Sequence, residues 1–242
     1  MISSFFNVVF YQPLYNGLIF LMDTLPFFDA GVIVILFTII VKLVMFPLSI
    51  KATKSQIEMK EIETDLKKIK EQYPDKQIQA QKTIDLYKEK NINPLAGFLV
   101  LLIQLPIIIA LYRIFLKSGL PTINLGLLYS FVSAPVLVHM NFLGLIDIAS
   151  KSVILALLAG VSTYFQLVYA TPPASKDTNV DSKPTVQEDV MKMMQTQMRY
   201  GFPVLVTFIS WSVSAAVSLY WITSNIFTIG QELYIRKHIR KN

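Results

Sequence analysis

The residue with the strongest chemical signal is Lys42, the one charged side chain in an apolar run at residues 31–50. A charge near the middle of a membrane helix costs about 2.5–3.5 kcal/mol on insertion scales, so it should face a bundle interior or a hydrated cavity. The alternative is that Lys42 snorkels to the inner surface. Lys51 lies nine residues further along. That is about 13 Å of helix axis, more than a lysine side chain covers, and we favour a functional role.

Polar side chains share helix faces with Lys42 and recur in the later apolar runs. At steps of three and four residues, the face of Lys42 also carries Thr38, Met45 and Ser49. In the last apolar run, an arc of about 140° contains Tyr220, Trp221, Ser224, Asn225, Thr228, Gln231 and Glu232. Gln104 and Gln166 add polar positions in two further runs. Ordinary interhelical hydrogen bonds, worth about 0.6 kcal/mol each, explain any single hydroxyl. The whole set around a buried lysine indicates a hydrated groove.

Several kinds of chemistry are excluded by composition. The chain has no cysteine and two histidines, His139 and His238, so a thiolate or histidine metal centre or a catalytic triad has little to build on. No glycine-rich phosphate loop appears, and the first three apolar runs contain no carboxylate of the kind that ion-coupled transporters use. We therefore expect no enzyme activity, no catalytic residue, no metal and no cofactor. A small anion-type transporter or channel with Lys42 as its binding site remains the alternative function.

The elements that must position these residues are apolar helices. Hydrophobic residues make up 53% of the 242 residues and charged residues 16%, against about 25% charged in a soluble domain. A span needs about 20 apolar residues. The pattern predicts an all-α polytopic membrane protein with five transmembrane helices and a cytoplasmic helical hairpin. The predicted segments are an extracytoplasmic interfacial segment 1–29, transmembrane helices 30–50, 94–117, 152–170, 200–214 and 217–235, a charged cytoplasmic helical hairpin 51–93, an extracytoplasmic loop 118–151, a cytoplasmic loop 171–199 and a basic cytoplasmic tail 236–242.

The distribution of positive charge predicts the orientation. The hairpin holds ten lysines, and the loop 171–199 and the tail hold four Lys or Arg each, together 18 of 22. Residues 1–41 contain none. Because Lys and Arg are retained on the cytoplasmic side, this pattern predicts that the N-terminus lies outside and the C-terminus inside.

Five ordered segments resemble a known family. They are FYQPLYN at 10–16, KLVMFPL at 42–48, NPLAG at 93–97, QLPI at 104–107 and LYWITSN at 219–225. In this order, with this topology and the charged hairpin, the sequence from about Tyr11 to the C-terminus resembles the YidC-type membrane protein insertases (YidC/Oxa/Alb). The resemblance is to a short form that lacks the large extracytoplasmic domain of some members.

The resemblance implies five core helices around a groove that is open to the cytoplasm and to lipid and closed toward the outside. In the family, a positive residue of the first core helix lies in the groove and attracts acidic parts of an incoming chain. Lys42 occupies that position, where the family usually has arginine. Thr38 matches a substrate-lining position, and Tyr220 and Trp221 match the aromatic pair of the last helix. Residues 213–216 (VSAA) stand where the family often has proline and glycine.

The function that the resemblance implies is insertion and folding assistance for nascent membrane proteins, that is, a membrane insertase and chaperone of protein translocation. The expected substrate-binding groove contains Lys42, Thr38, Met45, Ser49, Gln104, Gln166, Tyr220, Trp221, Ser224 and Asn225. The expected partners are nascent membrane protein substrates and the lipid bilayer, with the ribosome and the Sec translocon as further candidates and no specific nucleic acid. The expected location is the plasma (inner) membrane of a bacterium, as a multi-pass protein, in preference to an organellar inner membrane.

Overall fold

A computed structural model describes residues 2–93, 96–116, 120, 122–170 and 196–239, which are mostly helical. The helices are α1 (Ile2–Phe6), α2 (Gln12–Thr24), α3 (Ala30–Val44), α4 (Phe46–Glu61), α5 (Glu63–Gln72), α6 (Lys76–Glu89), α7 (Ala96–Leu116), α8 (Val153–Ala170), α9 (Phe202–Ser212) and α10 (Ala215–Ile239). Two π-helical turns, Asn7–Tyr11 and Gln197–Gly201, precede α2 and α9. The strands β1 (Asn141–Phe142) and β2 (Ile146–Asp147) form an antiparallel hairpin.

The chain divides into two compact units. The first contains residues 1–43 and 106–232, and the second contains residues 44–105 and 233–242. Most of α3, α8, α9 and most of α10 lie in the first unit, together with the hairpin β1–β2. The second unit contains α4, α5 and α6, so it holds the charged region that the sequence predicts to be a helical hairpin.

Helix α3 begins and ends where the sequence supplies local signals. The Asp29 carboxylate caps its first turn by accepting a 2.9 Å hydrogen bond from the amide of Val32. The helix ends at Val44, and α4 begins at Phe46. Pro47 accounts for this break, because proline has no amide hydrogen to donate to the carbonyl of Leu43.

Close packing joins α8 to α9 in the first unit. A side chain at Gly160 would meet the hydroxyl of Thr207 and would lie 3.0 Å from the carbonyl oxygen of Pro203. Nearer the start of α8 and the end of α9, an apolar cleft of about 240 Å³ separates the helices. It is lined by Val153, Ala156, Leu157, Thr207, Phe208 and Trp211. The two helices are therefore antiparallel, and Gly160 permits their closest approach.

The second unit follows the local turn signals of its sequence. After α5 ends at Gln72, the side chain of Asp75 caps α6 by accepting hydrogen bonds from the amides of Gln77 and Ile78 at 2.7 and 3.4 Å. Ser55 donates to the carbonyl oxygen of Asn93 at 3.0 Å. The cap at Asp75 follows the turn in the middle of the region, and the bond of Ser55 ties the start of the region to its end. The exposed ion pairs contribute little because water screens them.

Length and hydropathy identify few long apolar helices among the described residues. The continuous helix Ser4–Thr24 is long and apolar enough to cross a membrane, and Ala30–Val44 with Phe46–Met59 qualifies as a broken pair. Gln104–Phe115 and Val153–Tyr169 are apolar but shorter. Pro13 is the second residue of α2, which directly follows the π-helical turn Asn7–Tyr11, where the regular pattern of backbone hydrogen bonds is already shifted. The five predicted spans and their orientation therefore stay predictions.

Two predicted segments extend beyond the described residues. The cytoplasmic loop predicted at 171–199 is described only from 196, and the basic tail predicted at 236–242 only to 239. In the region predicted to hold the last two spans, α9 ends at Ser212 and α10 begins at Ala215. The break therefore occupies Val213 and Ser214, two residues before the gap at 215–216 between the two predicted spans.

Candidate functional site

The side chain of Lys42 lies between two helices of the first unit. It belongs to the last turn of α3 and is 9% exposed. Its Nζ atom donates a 3.1 Å hydrogen bond to Oγ1 of Thr228 on α10. The hydroxyl of Thr228 in turn donates to the carbonyl oxygen of Ser224 at 2.8 Å. Because that bond uses the hydroxyl proton, the oxygen is left as an acceptor for the ammonium group.

The charge of Lys42 has no carboxylate partner within the described part of the chain. The ion pairs Lys54–Glu58 and Lys68–Asp65 lie in the second unit and do not involve Lys42. An ammonium group has three N–H donors, and Thr228 accepts one of them. A buried cation that is neutralised neither by an acid nor by a full set of hydrogen bonds is energetically costly.

Thr38 lies one turn before Lys42 and is fully buried. Its hydroxyl donates to the carbonyl oxygen of Val34 at 2.6 Å, so the polar group is satisfied within its own helix. Thr38 can therefore line a buried surface without a partner from another helix.

A second polar contact joins α8 to α10. The side-chain nitrogen Nδ2 of Asn225 donates to Oγ of Ser162 at 3.0 Å and to Oγ1 of Thr163 at 2.8 Å. Both hydroxyls donate to the carbonyl oxygen of Ala159, at 2.9 and 2.7 Å. Because both hydroxyl protons are used in these bonds, the two hydroxyl oxygens act as acceptors for the side-chain amide of Asn225. The pair of contacts fixes α10 between the helix that carries Lys42 and α8.

The remaining predicted residues of the first unit lie on these same helices. Tyr220 and Ser224 are buried on α10, and Trp221 is half-buried beside them. Gln166 is half-buried on α8, one turn after Thr163. Seven of the ten predicted groove residues therefore lie in the first unit, on α3, α8 and α10.

Three predicted groove residues belong to the second unit. Met45, Ser49 and Gln104 are half-buried there. Ser49 donates to the carbonyl oxygen of Met45 at 3.2 Å, within its own helix. Sequence analysis placed Thr228 in the polar arc of the last helix but did not include it, or Ser162 and Thr163, among the ten expected groove residues. The signal that could have identified Thr228 is its position one turn after Ser224 in the polar arc of the last helix.

A capping segment, residues 122–151, covers one end of the helices of the first unit. It reaches α2 through Asn16, which donates to the carbonyl oxygen of Leu127 at 2.8 Å and accepts from the amide of Tyr129 at 2.7 Å. It reaches α3 through the amide of Ala30, which donates to the carbonyl oxygen of His139 at 2.8 Å. It reaches α10 through the amide of Ala215, which donates to the carbonyl oxygen of Ser150 at 2.8 Å. The N-terminal ends of α3 and α10 are thus tied to one segment.

Apolar helices that enclose a buried lysine without an acidic partner among the described residues define the class. It is a predominantly helical protein of apolar environments, with polar contacts between its helices. Comparison with known proteins identifies the family. The model of the 60Kd inner membrane protein family matches residues 21–242. The chain therefore belongs to this family, which is the family of the YidC-type insertases.

Two relatives are similar over most of their length. The membrane protein insertase YidC of Clostridium tetani is 33% identical over 220 residues, which cover 90% of this chain and 87% of that protein. The membrane protein insertase YidC of Fusobacterium nucleatum is 30% identical over 230 residues, which cover 94% of this chain and 97% of that protein.

A solved structure supports the fold. It is the crystal structure of an active YidC insertase with its first transmembrane domain resolved, and it matches with a TM-score of 0.57 and 22% sequence identity. The match covers 93% of this chain and 45% of the other chain. At this identity the likeness concerns the fold alone.

Proposed function

We propose that this chain is a membrane protein insertase that uses Lys42 as the positive charge of an intramembrane groove. The single observation that carries the proposal is that Lys42 is buried, is hydrogen-bonded to Thr228 and has no carboxylate partner among the described residues. Its relatives, the YidC proteins of two bacteria, are named membrane protein insertases. The buried charge gives that function a chemical basis in this chain.

The proposed topology has five spans, with the N-terminus outside and the C-terminus inside the plasma membrane of a bacterium. The positive charges of the predicted helical hairpin 51–93, the loop 171–199 and the tail 236–242 support it. The capping segment supports treating residues 1–29 as interfacial. It contacts Asn16 in the middle of α2 and also Ala30 at the start of α3. These two contacts tie residues 1–29 and the start of α3 to a segment that is proposed to lie outside the membrane.

The groove acts on the incoming chain through charge and hydration. An acidic segment that crosses the membrane meets the ammonium group of Lys42 part of the way through the apolar core. At an effective dielectric constant of about 20, two unit charges about 4 Å apart attract by about 4 kcal/mol. That attraction offsets part of the free-energy cost of removing water from the carboxylate. Gln166, which is half-buried, would supply hydrogen bonds to the polar backbone of the same segment. Thr38, Ser224 and Asn225 are buried, so they would do so only once the segment has opened the contacts between the helices.

Release into lipid uses the apolar part of the site. Met45 lies three residues after Lys42, and its flexible thioether side chain accommodates varied apolar surfaces. Tyr220 and Trp221 supply aromatic surface on α10. Once the polar segment has passed, burial of the apolar substrate helix in lipid drives the step. No cofactor and no nucleotide enters this scheme, and the ribosome and the Sec translocon are proposed partners for delivery.

The test is an insertion assay in reconstituted vesicles with Lys42→Arg, Lys42→Ala and Lys42→Glu. Two single-span substrates are compared, one with an acidic translocated tail and one with the same tail made neutral. We expect Lys42→Arg to retain insertion, and Lys42→Glu to reduce insertion of the acidic substrate more than Lys42→Ala does. Normal insertion of the acidic substrate by Lys42→Glu would disprove the electrostatic role.

The alternative of an anion-type transporter or channel makes a different prediction in the same vesicles. A transporter would move a small anion, such as radioactive chloride, across vesicles that contain the unmodified chain, and Lys42→Ala would abolish that flux. The hydrogen bonds of the capping segment to α3 and α10 favour a groove that is closed at one end. We therefore expect no flux above that of protein-free vesicles.

A further inference from the structure

The hairpin β1–β2 ends in an unusual turn. The strands pair Asn141 with Asp147 and Phe142 with Ile146, which leaves Leu143, Gly144 and Leu145 as the turn. Leu143 has a φ angle of +51° and Gly144 one of +74°. The left-handed region is uncommon for a bulky residue with a side chain. A glycine or an asparagine would adopt this conformation of residue 143 more easily.

The turn is held firmly against two helices. The Asp29 carboxylate, which caps α3, also accepts a 3.1 Å hydrogen bond from the amide of Leu143. A side chain at Gly31 would meet the ring of Phe142, so β1 lies directly on the first turn of α3. On the other side, the amide of Ala216 donates to the carbonyl oxygen of Ile148 at 3.0 Å. The strained conformation is therefore maintained by contacts at the starts of α3 and α10.

This rigid turn exposes large apolar side chains. Leu143 is 66% exposed and Leu145 is 85% exposed. Phe27, two residues before the carboxylate that holds the turn, is 89% exposed. We call Phe27, Leu143 and Leu145 the hairpin tip. A leucine kept in an unfavourable backbone conformation, but not buried within its own chain, indicates a contact with an apolar environment outside it.

The surroundings of the hairpin tip favour lipid over a water-soluble partner. Residues 118–146 contain no Asp, Glu, Lys or Arg, although 16% of the whole chain is charged. Further on, Val153, Ile154 and Leu157 at the start of α8 are exposed, and the proposed topology places them against lipid. The tip is thus separated by a few residues from a lipid-facing helix surface. It carries no basic cluster that would bind anionic headgroups from the water phase.

We propose that the hairpin tip inserts into the boundary between headgroups and acyl chains of the outer leaflet and holds the starts of α3 and α10 at that depth. The proposal rests on the topology of the proposed function and adds a membrane contact to it. Lys42 lies 12 residues after Ala30. That spacing is about 18 Å of helix, which brings the charge near the middle of a hydrocarbon core about 30 Å thick. The tip would therefore set the depth at which the groove presents its charge.

The chain has no cysteine, so a single introduced cysteine can be labelled with a nitroxide without other changes. Three variants in vesicles of phosphatidylcholine and phosphatidylglycerol are compared: Leu145→Cys at the tip, Ile154→Cys on α8 and Gln77→Cys at an exposed position of the hairpin 51–93. Oxygen, which concentrates in lipid, and a water-soluble nickel chelate report the depth of each label. We expect the Leu145 label to resemble that at Ile154, with high oxygen and low nickel accessibility. A Leu145 label that resembles the Gln77 label would overturn the proposal, and a protein partner would then have to cover the tip.

A second variant tests the tip without disturbing the turn. Phe27→Ser combined with Leu143→Asn removes two apolar groups, and asparagine tolerates the positive φ angle at residue 143. We expect the Leu145 label to become accessible to nickel in this background, while the thermal unfolding temperature stays at or above that of the parent. An unchanged label depth would show that the tip does not carry the membrane contact.

These measurements use vesicles without substrate, so they are independent of insertion. A label at Leu145 in the water phase, together with a defect of Lys42→Glu in the insertion assay, would reject the tip and retain the proposed function. A label at Leu145 in lipid, together with normal insertion by Lys42→Glu, would retain the tip and reject the electrostatic role of Lys42.

Discussion

Nζ of Lys42 donates a hydrogen bond of 3.1 Å to Oγ1 of Thr228, and this bond joins α3 to α10. Thr228 commits its own proton to the carbonyl oxygen of Ser224 at 2.8 Å. The direction of both bonds is therefore fixed, and the ammonium group is held with its other N–H groups pointing away from Thr228. On the proposed function, Thr228 positions the charge that meets the substrate.

Replacing Thr228 with valine should weaken insertion of acidic substrates. Valine keeps the shape of threonine but cannot accept a hydrogen bond. A hydrogen bond to a charged group is worth about 1.5–3 kcal/mol, and about 1.4 kcal/mol corresponds to a tenfold change in an equilibrium. We expect insertion of a substrate with an acidic tail to fall severalfold, and Thr228→Ser to restore most of it. The measurement is the fraction inserted into vesicles at equal protein density.

Two comparisons separate positioning from a merely structural effect of Thr228→Val. In a Lys42→Ala background, Thr228→Val should change insertion no further, because the partner is already absent. Thr223→Val is the matched control, since the Thr223 hydroxyl donates at 2.8 Å to Leu219 within the same helix. Equal losses for acidic and neutral substrates would contradict the positioning role.

The contact of Asn225 with α8 should contribute to stability. Its amide bonds to Ser162 and Thr163 at 3.0 and 2.8 Å. Interhelical hydrogen bonds in membranes average about 0.6 kcal/mol and reach about 1.7 kcal/mol. We therefore expect Asn225→Ala to lower the free energy of unfolding by about 1–2 kcal/mol, measured by thermal unfolding in detergent. Thr163→Val should show a smaller loss, and the double variant should lose less than the sum. Strict additivity would argue that the two side chains do not interact.

The sequence predicts much of the site but not its pairing. Helical periodicity placed Thr38 with Lys42 on one face, and Tyr220, Ser224 and Asn225 on another. Periodicity states which residues share a face of a helix, but it does not say which two faces meet. For that reason the contact between Lys42 and Thr228 came only from the structure. Membership of the insertase family, suggested by ordered motifs, is confirmed by the family match over residues 21–242.

The capping segment shows where sequence patterns become uninformative. Its strands, Asn141–Phe142 and Ile146–Asp147, are two residues each. Such strands are too short to display the alternation by which a strand is identified. Prolines and glycines in this region predict turns, but the anchoring of the turns depends on Asn16 and Asp29, more than 100 residues earlier. Long-range hydrogen bonds of this kind leave no periodic signal in the sequence.

Gly160 and Gly230 should respond in opposite directions to alanine. A Cβ atom at Gly160 would meet the hydroxyl of Thr207 and the carbonyl of Pro203, whereas at Gly230 it would meet nothing within 4 Å. Overpacking costs about 1–3 kcal/mol, so Gly160→Ala should lower the thermal unfolding temperature. Gly230→Ala should raise stability by up to about 1 kcal/mol, because alanine favours a helix.

A repair variant tests whether the contact with α9 causes the loss at Gly160. Thr207→Ala removes the hydroxyl that the new methyl group would meet. The double variant Gly160→Ala/Thr207→Ala should therefore regain part of the stability that Gly160→Ala loses. If Gly160→Ala and Gly230→Ala behave alike, the close approach of α8 and α9 at Gly160 is contradicted.

Asn16 should control the attachment of the capping segment to α2. Its amide nitrogen donates to the carbonyl oxygens of Gln12 and Leu127, both at 2.8 Å, and its carbonyl oxygen accepts from the amide of Tyr129 at 2.7 Å. Asn16→Leu removes all three bonds and leaves the amide of Tyr129 without its acceptor. An unsatisfied buried donor costs about 1–3 kcal/mol. We therefore expect faster hydrogen exchange in a peptide that contains Tyr129, measured by mass spectrometry.

The control variant is Asn16→Asp, which keeps an oxygen that can accept from the amide of Tyr129 but loses both N–H donors. It should therefore retain protection of the Tyr129 amide, while the bond to the carbonyl oxygen of Leu127 is lost. Equal protection in Asn16→Leu and the parent chain would show that other contacts, such as the bond from the amide of Asn124 to the Tyr15 hydroxyl at 2.8 Å, hold the segment alone.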